Sequence, residues 1–151
     1  VVDIGCGTGG LSVEFSLKAE KVYSIDKNPE AINICKKNLE KLGNLDKVSF
    51  IENDGVNALK NINTFDIALI GGRGRDLEPI LDLVDSKLNH EGRILIPCIL
   101  VDTKVDAVNK LKSLGYNPKI VEVNVSKGRV IDRGIMMIAR NPIAIVYAKK
   151  R

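Results

Sequence analysis

The sequence contains no tryptophan, and aromatic residues make up 4% of its 151 positions. A surface that reads nucleobases by stacking has little to build on. Histidine occurs once, as His90 in the run NHEG between two predicted elements, where a solvated loop residue is expected. Cysteine occurs three times, at Cys6, Cys35 and Cys98, widely spaced and with no C-x-x-C pair. That spacing offers neither a zinc site nor a redox pair, and it predicts three buried free thiols in a reducing cytoplasm. With one histidine and no cysteine cluster, no protein-bound catalytic metal is expected. No apolar run approaches the roughly 18 residues of a membrane span, and no basic-then-apolar leader opens the chain. Val1 already belongs to a strand-like run, so a further segment upstream of it is expected.

What is present is ordinary for one soluble domain: 44% hydrophobic and 28% charged residues, in a chain long enough to bury a core. The net charge of +4 and pI near 9.0 favour an acidic partner or substrate, without separating nucleic acid from a small polycarboxylate.

Strand-like and helix-like runs alternate through the first two thirds. VVDIG reads as a buried strand and GGLSVEFSLKA as a helix, with Leu11 and Phe15, and Val13 and Leu17, each four apart. KVYSID is a strand ending in Asp26. NPEAINICKKNLEKLG is a helix that Asn28 can cap, with Pro29 at its first position, Gly43 at its stop and a stripe of Ala31, Cys35, Leu39 and Leu42. KVSFIEND, FDIALIGG and RILIPCIL are further strands, and GVNALKNI is a short helix at most. DLEPILDLVDSKL presents Leu77, Ile80, Leu81, Val84 and Leu88 on one helical face, and DTKVDAVNKLKSLG is a last helix closed by Gly115. Pro97 removes a ladder donor from its strand and suits a strand end or a bulge. Then PKIVEVNVSKG and IMMIARNPIAIVYAKK follow with no helix between them, an antiparallel hairpin. The architecture expected is α/β: a Rossmann-like, mostly parallel, doubly wound seven-stranded sheet with a C-terminal antiparallel hairpin.

The opening VVDIGCGTGG places Gly5, Gly7 and Gly9 at alternate positions after the first strand, with Gly10 behind. Such a loop meets the ligand at the carboxyl ends of the strands. Gly5, Gly7 and Gly10 also satisfy the G-x-G-x-x-G pattern of dinucleotide enzymes, which seat a pyrophosphate there. Asp3 separates the alternatives. An anion two residues before Gly5 would repel a pyrophosphate, whereas it favours the ammonium and sulfonium of S-adenosylmethionine or hydrogen-bonds the loop. D-x-G-x-G-x-G resembles the first motif of class I methyltransferases. Asp26, about 20 residues after the loop, is placed to accept ribose hydroxyls, or to cap the next helix. Asp54 closes the third strand. In class I methyltransferases an acidic residue here meets the adenine amino group and the following amide, here that of Gly55, meets a ring nitrogen; a helix cap is the other reading. Asp3, Gly5, Cys6, Gly7, Thr8, Gly9, Asp26, Asp54 and Gly55 are the expected cofactor site.

After the fourth strand comes GGRGRDLEP, without the N-P-P-Y of enzymes that methylate flat amino groups. Its glycines leave room for a bulky acceptor, and Arg73 and Arg75 offer forks for carboxylates. Lys127, Arg129, Arg133 and Arg140 cluster within fourteen residues, with Asp132 among them; substrate or subunit contact is expected of them.

VDIGCGTGG, VYSIDKNPEAI, ALIGGRGRDL and KGRVIDRGIMMIARNP together resemble the decarboxylating cobalt-precorrin-6B C-15 methyltransferases of anaerobic cobalamin synthesis, along nearly the whole chain. The last string is the specific one. The resemblance implies S-adenosylmethionine as donor and an anionic cobalt-bearing tetrapyrrole as acceptor, methylated at C-15 with loss of the carboxyl on the C-12 acetate chain. It implies a cytoplasmic homotetramer using its late strands for subunit contact, and leaves room for a partner that methylates C-5. Arg73, Arg129 and Arg133 would then hold the acceptor's acid groups. Asp132 is the nearest candidate for a general acid or base, and no nucleophilic triad is expected. Three rivals stand beside this reading: an RNA methyltransferase with the same cofactor half, a non-catalytic protein on the same fold, and a nicotinamide enzyme, which Asp3 disfavours.

Overall fold

The computed structural model describes residues 1–71 and 76–151. Five strands run parallel: β1 (Val2–Ile4), β2 (Val22–Asp26), β3 (Val48–Glu52), β4 (Phe65–Ile70) and β5 (Leu88–Cys98). Between and after them lie α1 (Gly10–Ser16), α2 (Pro29–Leu42), α3 (Gly55–Lys60), α4 (Leu77–Lys87) and α5 (Val101–Ser113). The chain then adds β6 (Lys119–Val123), β7 (Ser126–Ile131), β8 (Gly134–Ala139) and β9 (Ile143–Lys149). The main sheet has the order β3-β2-β1-β4-β5-β9-β6, with β9 antiparallel to both its neighbours. The strand order reverses between β2 and β4, on either side of β1, and a crevice opens there.

Alternation along the strands sorts the two faces. Val2 and Ile4 join Ile25, Ala68, Ile94 and Val146 in a large core closed by Leu59, Leu81 and Leu111 of α3, α4 and α5. Asp3 and Ser24 point to the other face, where α1 and α2 enclose a smaller core of Val13, Cys35 and Leu39. The α2 ends follow the sequence: the Asn28 side chain accepts from the Glu30 N–H, Pro29 opens the helix, and the Gly43 N–H donates to the Leu39 carbonyl. Of the expected α2 stripe, Cys35 and Leu39 are fully buried and Leu42 is exposed.

Three expectations change. In α1 the inward residues are Ser12, Val13 and Ser16, while Leu11 and Leu17 are about half exposed. The serines can be buried because they are satisfied: Ser12 Oγ donates to Asp3, and Ser16 Oγ donates to the Val13 carbonyl and accepts from the Asn44 N–H. Second, β5 starts at Leu88, not near Arg93. Its pairing to β4 jumps from Phe65↔Leu88 to Ile67↔Arg93, with Glu91 at a φ of 67°, so the exposed His90 sits on a bulge rather than in a turn between elements. Pro97 lies beyond the last β4 partner, Leu95, where β5 is paired on one side only and a missing donor is tolerated.

The third change concerns the end of the chain. The loop of the expected hairpin is itself a two-stranded ribbon, β7 with β8, and the run from Ile135 divides into β8 and β9. Gly134, at a φ of 139°, permits the tight turn after Asp132 and Arg133. Pro142 cannot donate, and the chain leaves the ribbon there. The Arg140 N–H closes the ribbon's base on the Val125 carbonyl.

Candidate active site

A cleft of about 440 Å³ occupies the crevice at the carboxyl ends of β1, β2 and β4. Ile4 and Gly5, Ile25 and Asp26, and Ile70 and Gly71 form its floor; Asn53, Asp54 and Gly55 also line it, as do Leu77 and Ile80 of α4. Its size is in the range of small-molecule sites, and apolar surfaces with a few fixed polar groups are what such sites use.

The glycine loop is held from several sides. The Gly5 and Cys6 N–H groups both donate to the Ile25 carbonyl, at 2.8 and 3.0 Å, and the Gly7 N–H donates to Asp26 Oδ2 at 3.0 Å. Gly5, Gly7 and Gly9 have φ of 75°, 55° and 82°. A side chain on Gly9 would also collide with α2, since its Cβ would fall 2.4 Å from Cys35 Sγ. Thr8 is exposed, and its carbonyl accepts from Asn38 Nδ2 at 2.8 Å.

Asp26 is the hinge of the site. One carboxylate oxygen accepts from Gly7, the other from the Asn28 N–H at 2.9 Å, so it joins the loop to the start of α2 while lining the cleft. The Asn53 N–H donates to its carbonyl at 3.1 Å, binding the third strand end to the second. Asp54 caps α3: Oδ1 accepts from the Asn57 N–H and Oδ2 from Asn57 Nδ2, which hold its carboxyl below the usual range. It lines the cleft as well, and a carboxylate has lone pairs enough for both.

Asp3 takes a different place. It is 2% exposed, lies outside the lining, and accepts from Ser12 Oγ at 2.5 Å, while Ser24 Oγ donates to Ser12 Oγ at 2.8 Å. Burial pushes its carboxyl up, with the Ser12 hydrogen bond working the other way. Its observed connection is to the first turn of α1, directly behind the loop. Cys6 is half-buried rather than buried, and it packs against the small core that holds Cys35 of α2. The neighbouring Cys35 thiol, followed by burial, pushes the Cys6 thiol up, and Cys6 Sγ donates to the Gly7 carbonyl at 3.9 Å.

Of the acceptor residues, Arg73 lies outside the described residues. Arg129, Asp132 and Arg133 sit on the exposed ribbon and do not line the cleft of their own chain. Asn53, Asp76, Leu77 and Ile80 line the cleft without having been singled out. Leu77 and Ile80 were visible only as part of the buried stripe of α4. Among the described residues, no group of three or more His, Cys, Asp or Glu side chains converges as a metal site would need, and no helix is long and apolar enough to cross a membrane.

The family model of the precorrin methyltransferase domain matches residues 1–150. The chain belongs to that family. A probable cobalt-precorrin-6B C(15)-methyltransferase (decarboxylating) from Methanobrevibacter smithii is 62% identical over 151 residues, all of this chain and 81% of the relative. Among solved structures, precorrin 8W decarboxylase of Methanobacterium thermoautotrophicum is similar with a TM-score of 0.92 and 44% identity, over 97% of this chain and 79% of that one. A precorrin-6y C5,15-methyltransferase of Geobacter metallireducens is similar with a TM-score of 0.90 and 31% identity, over 99% of this chain and 79% of that one. The fold is that of class I S-adenosylmethionine-dependent methyltransferases, and the cleft of this precorrin methyltransferase domain lies at the carboxyl ends of the strands, where open α/β sheets bind their ligands.

Proposed function

We propose that residues 1–151 act as one cytoplasmic domain that transfers a methyl group from S-adenosylmethionine to C-15 of a cobalt-precorrin, with decarboxylation of the C-12 acetate chain. The observation that carries the donor assignment is the charge of the cleft. Among its described lining residues Asp26, Asp54 and Asp76 are acids and Lys27 is the single cation. A pyrophosphate would be repelled there, and a ligand bearing ammonium and sulfonium charges is favoured. Asp26 is the residue for the ribose hydroxyls, Asp54 and the Gly55 amide for the base, and Gly5 and Gly71 for the close backbone approach. A Cβ at Gly71 would stand 3.2 Å from the Gly5 carbonyl oxygen, across the floor. Cys6, Gly7, Thr8 and Gly9 shape the loop from outside the lining, Gly7 through its hydrogen bond to Asp26, and Asp3 positions it through Ser12.

The donor supplies an already activated sulfonium methyl. The chain's own contribution is positioning, which is worth about 7–11 kcal/mol in well-oriented reactions. The conjugated acceptor ring takes up the electrons that decarboxylation releases, so the reading calls on neither a nucleophilic triad nor a resident metal.

The acceptor side rests on the ribbon. Val130, Ile135 and Met137 share one of its faces and are 80%, 73% and 63% exposed. Lys127 and Arg129 share the other face with Met136 and Ile138. An isolated two-stranded ribbon is marginal in water, and a largely apolar face needs cover. The reading is a homo-oligomer, a tetramer as in the family resemblance, in which the apolar faces pack together. Arg129 and Arg133 then reach an acceptor held at a cleft, with Arg73 as a third carboxylate contact and Asp132 as the candidate acid or base.

The test is mass spectrometry of the corrinoid after incubation with the enzyme and S-adenosylmethionine. Gain of one methyl with loss of one carbon dioxide is expected. An unchanged acceptor, with donor binding demonstrated, refutes the acceptor assignment and turns the test to RNA.

A further inference from the structure

The carboxyl edge of the sheet carries more than the cleft. β4 and β5 are parallel, so their ends lie side by side, while β9 runs the other way and its Ala144 pairs with Cys98 at the end of β5. Ile143 in turn pairs with Val123 at the end of β6. The edge therefore runs from the cleft at Ile70 and Gly71, past the end of β5, to the two strand ends from which the basic ribbon springs. Ile99, Leu100 and Val101 follow β5 at that middle position and are 66%, 59% and 67% exposed. Outside the ribbon, no other three consecutive large apolar side chains are exposed among the described residues.

The start of α5 would be better built without this run. Leu100 stands at the N-cap, with a φ of −87° and a ψ of 138°, and no side chain caps the helix. Asn28 has nearly the same backbone, with a φ of −93° and a ψ of 114°, and its side chain accepts from the Glu30 N–H at 2.9 Å. A polar residue at position 100 would therefore hold an N–H that Leu100 leaves to water. An apolar side chain kept in solvent where a cap would serve breaks a local rule without a gain in packing, and such breaks mark functional positions.

We propose that Ile99, Leu100 and Val101 form the platform on which the apolar ring of the acceptor lies, between the donor cleft and the ribbon. This rests on the reading of the substrate as a carboxylate-rimmed tetrapyrrole. The occupant follows from the charges on either side. The described lining of the cleft has an excess of acids, which suits a cationic donor and repels a carboxylate rim. Lys127, Arg129, Arg133 and Arg140 on the other side suit that rim. Neither field serves the ring itself, which needs apolar contact. A ring lying on the run has one edge at the donor and its acid groups toward the bases.

The experiment compares Leu100→Asn and Ile99→Ser with the natural sequence. Absorbance titration measures affinity for cobalt-precorrin and for uroporphyrin, a stable carboxylate-rimmed tetrapyrrole. Calorimetry measures S-adenosylmethionine affinity, urea unfolding the midpoint, and light scattering the assembly mass. Leu100→Asn should keep or raise the midpoint, because the new side chain caps α5, and should weaken acceptor affinity about tenfold, as the loss of one buried leucine contact implies. Its S-adenosylmethionine affinity and mass should not change. Ile99→Ser should weaken the acceptor likewise and adds no cap. A variant that is no less stable yet binds its acceptor worse is not what a structural role produces. Unchanged acceptor affinity in both variants overturns the proposal. A lowered midpoint in Leu100→Asn does so as well, since Leu100 would then serve the fold, and an altered mass would give the run to a second copy of the chain. A natural protein that binds uroporphyrin but not cobalt-precorrin counts against the acceptor assignment alone, and the uroporphyrin titrations still judge the platform. Binding of neither overturns both.

Discussion

Gly9→Ala tests how the loop is built, because two separable costs meet there. Gly9 has a φ of 82°, where a side chain costs about 1–2 kcal/mol. Its Cβ would also stand 2.4 Å from Cys35 Sγ and 3.1 Å from Cys35 Cα. Forcing a methyl group into such contact adds about 1–3 kcal/mol. The expected loss is roughly 2–5 kcal/mol, a large part of the about 5–15 kcal/mol that holds a typical domain. Gly7→Ala is the matched control. Gly7 has a φ of 55° but nothing within 4 Å of its Cβ, so only the backbone cost applies. Urea unfolding followed by circular dichroism should show both midpoints lowered at an unchanged slope. Gly9→Ala should be the worse by roughly 1–3 kcal/mol. Combining it with Cys35→Ala removes the sulfur clash and should recover part of the loss as a coupling of about 1 kcal/mol. Equal midpoints for the two glycine variants, or strict additivity of Gly9→Ala with Cys35→Ala, would refute the argument that the loop is seated on Cys35.

Asp3→Asn should change how stability depends on pH. Above its ordinary pKa of 3.8 the unfolded chain has released this proton while the folded chain retains it. The folded state then binds more protons, so this group makes stability fall with rising pH until it ionises in the fold too. The variant should lack that fall, and parallel pH curves of the urea midpoint would contradict it. Asp26→Ala removes the acceptor for Gly7 and Asn28 along with the ribose contact. S-adenosylmethionine should bind at least about tenfold more weakly by calorimetry, since hydrogen bonds to charged groups contribute about 1.5–3 kcal/mol each. Arg129→Ala and Arg133→Ala should weaken cobalt-precorrin binding and spare that of S-adenosylmethionine; unchanged acceptor affinity in both would remove them from the substrate site. Val130→Glu places a charge on the apolar face of the ribbon and should lower the assembly mass in light scattering, whereas an unaltered mass would mean that this face is not the interface.

Local chemistry made much of the fold legible. Asn28 with Pro29, and Gly43 fourteen residues beyond, mark the ends of α2 because caps act within a turn of the backbone they satisfy. The apolar stripe of Leu77, Ile80, Leu81 and Val84 reports one buried helical face directly. Gly5, Asp26, Asp54 and Gly55 could be placed at strand ends because a parallel sheet gathers its strand ends at one edge. Features that depend on partners distant in the chain were hidden. Ser12 and Ser16 carry no apolar signal, and only Asp3 and the backbone around Asn44 explain why they turn inward. Cys6 and Cys35 read as unrelated thiols because spacing detects pairs within one turn, not a loop folded over the next helix. The ribbon was not separated from the expected hairpin because its strands bury nothing within their own chain.

That ribbon also changes the meaning of the net charge. Taken over the whole chain, +4 is mild and names no partner. Yet Lys127, Arg129, Arg133 and Arg140, offset only by Asp132, place three of those four net charges in the ribbon and the residue that closes it. The described lining of the cleft, by contrast, has an excess of acids. A cationic methyl donor and an acceptor rimmed with carboxylates need fields of opposite sign, and a single charged cavity would repel one of them. Placing the acids at the strand ends and the bases on a projecting ribbon keeps the fields apart within one chain. In the proposed homo-oligomer, assembly then decides how near they come. This makes the oligomer a requirement of the proposed chemistry, beyond its role in covering apolar surface. A dissociated Val130→Glu protein should therefore still bind S-adenosylmethionine with its original affinity while losing turnover of the tetrapyrrole. Full turnover by the dissociated protein would show that one chain brings both fields to its own cleft unaided.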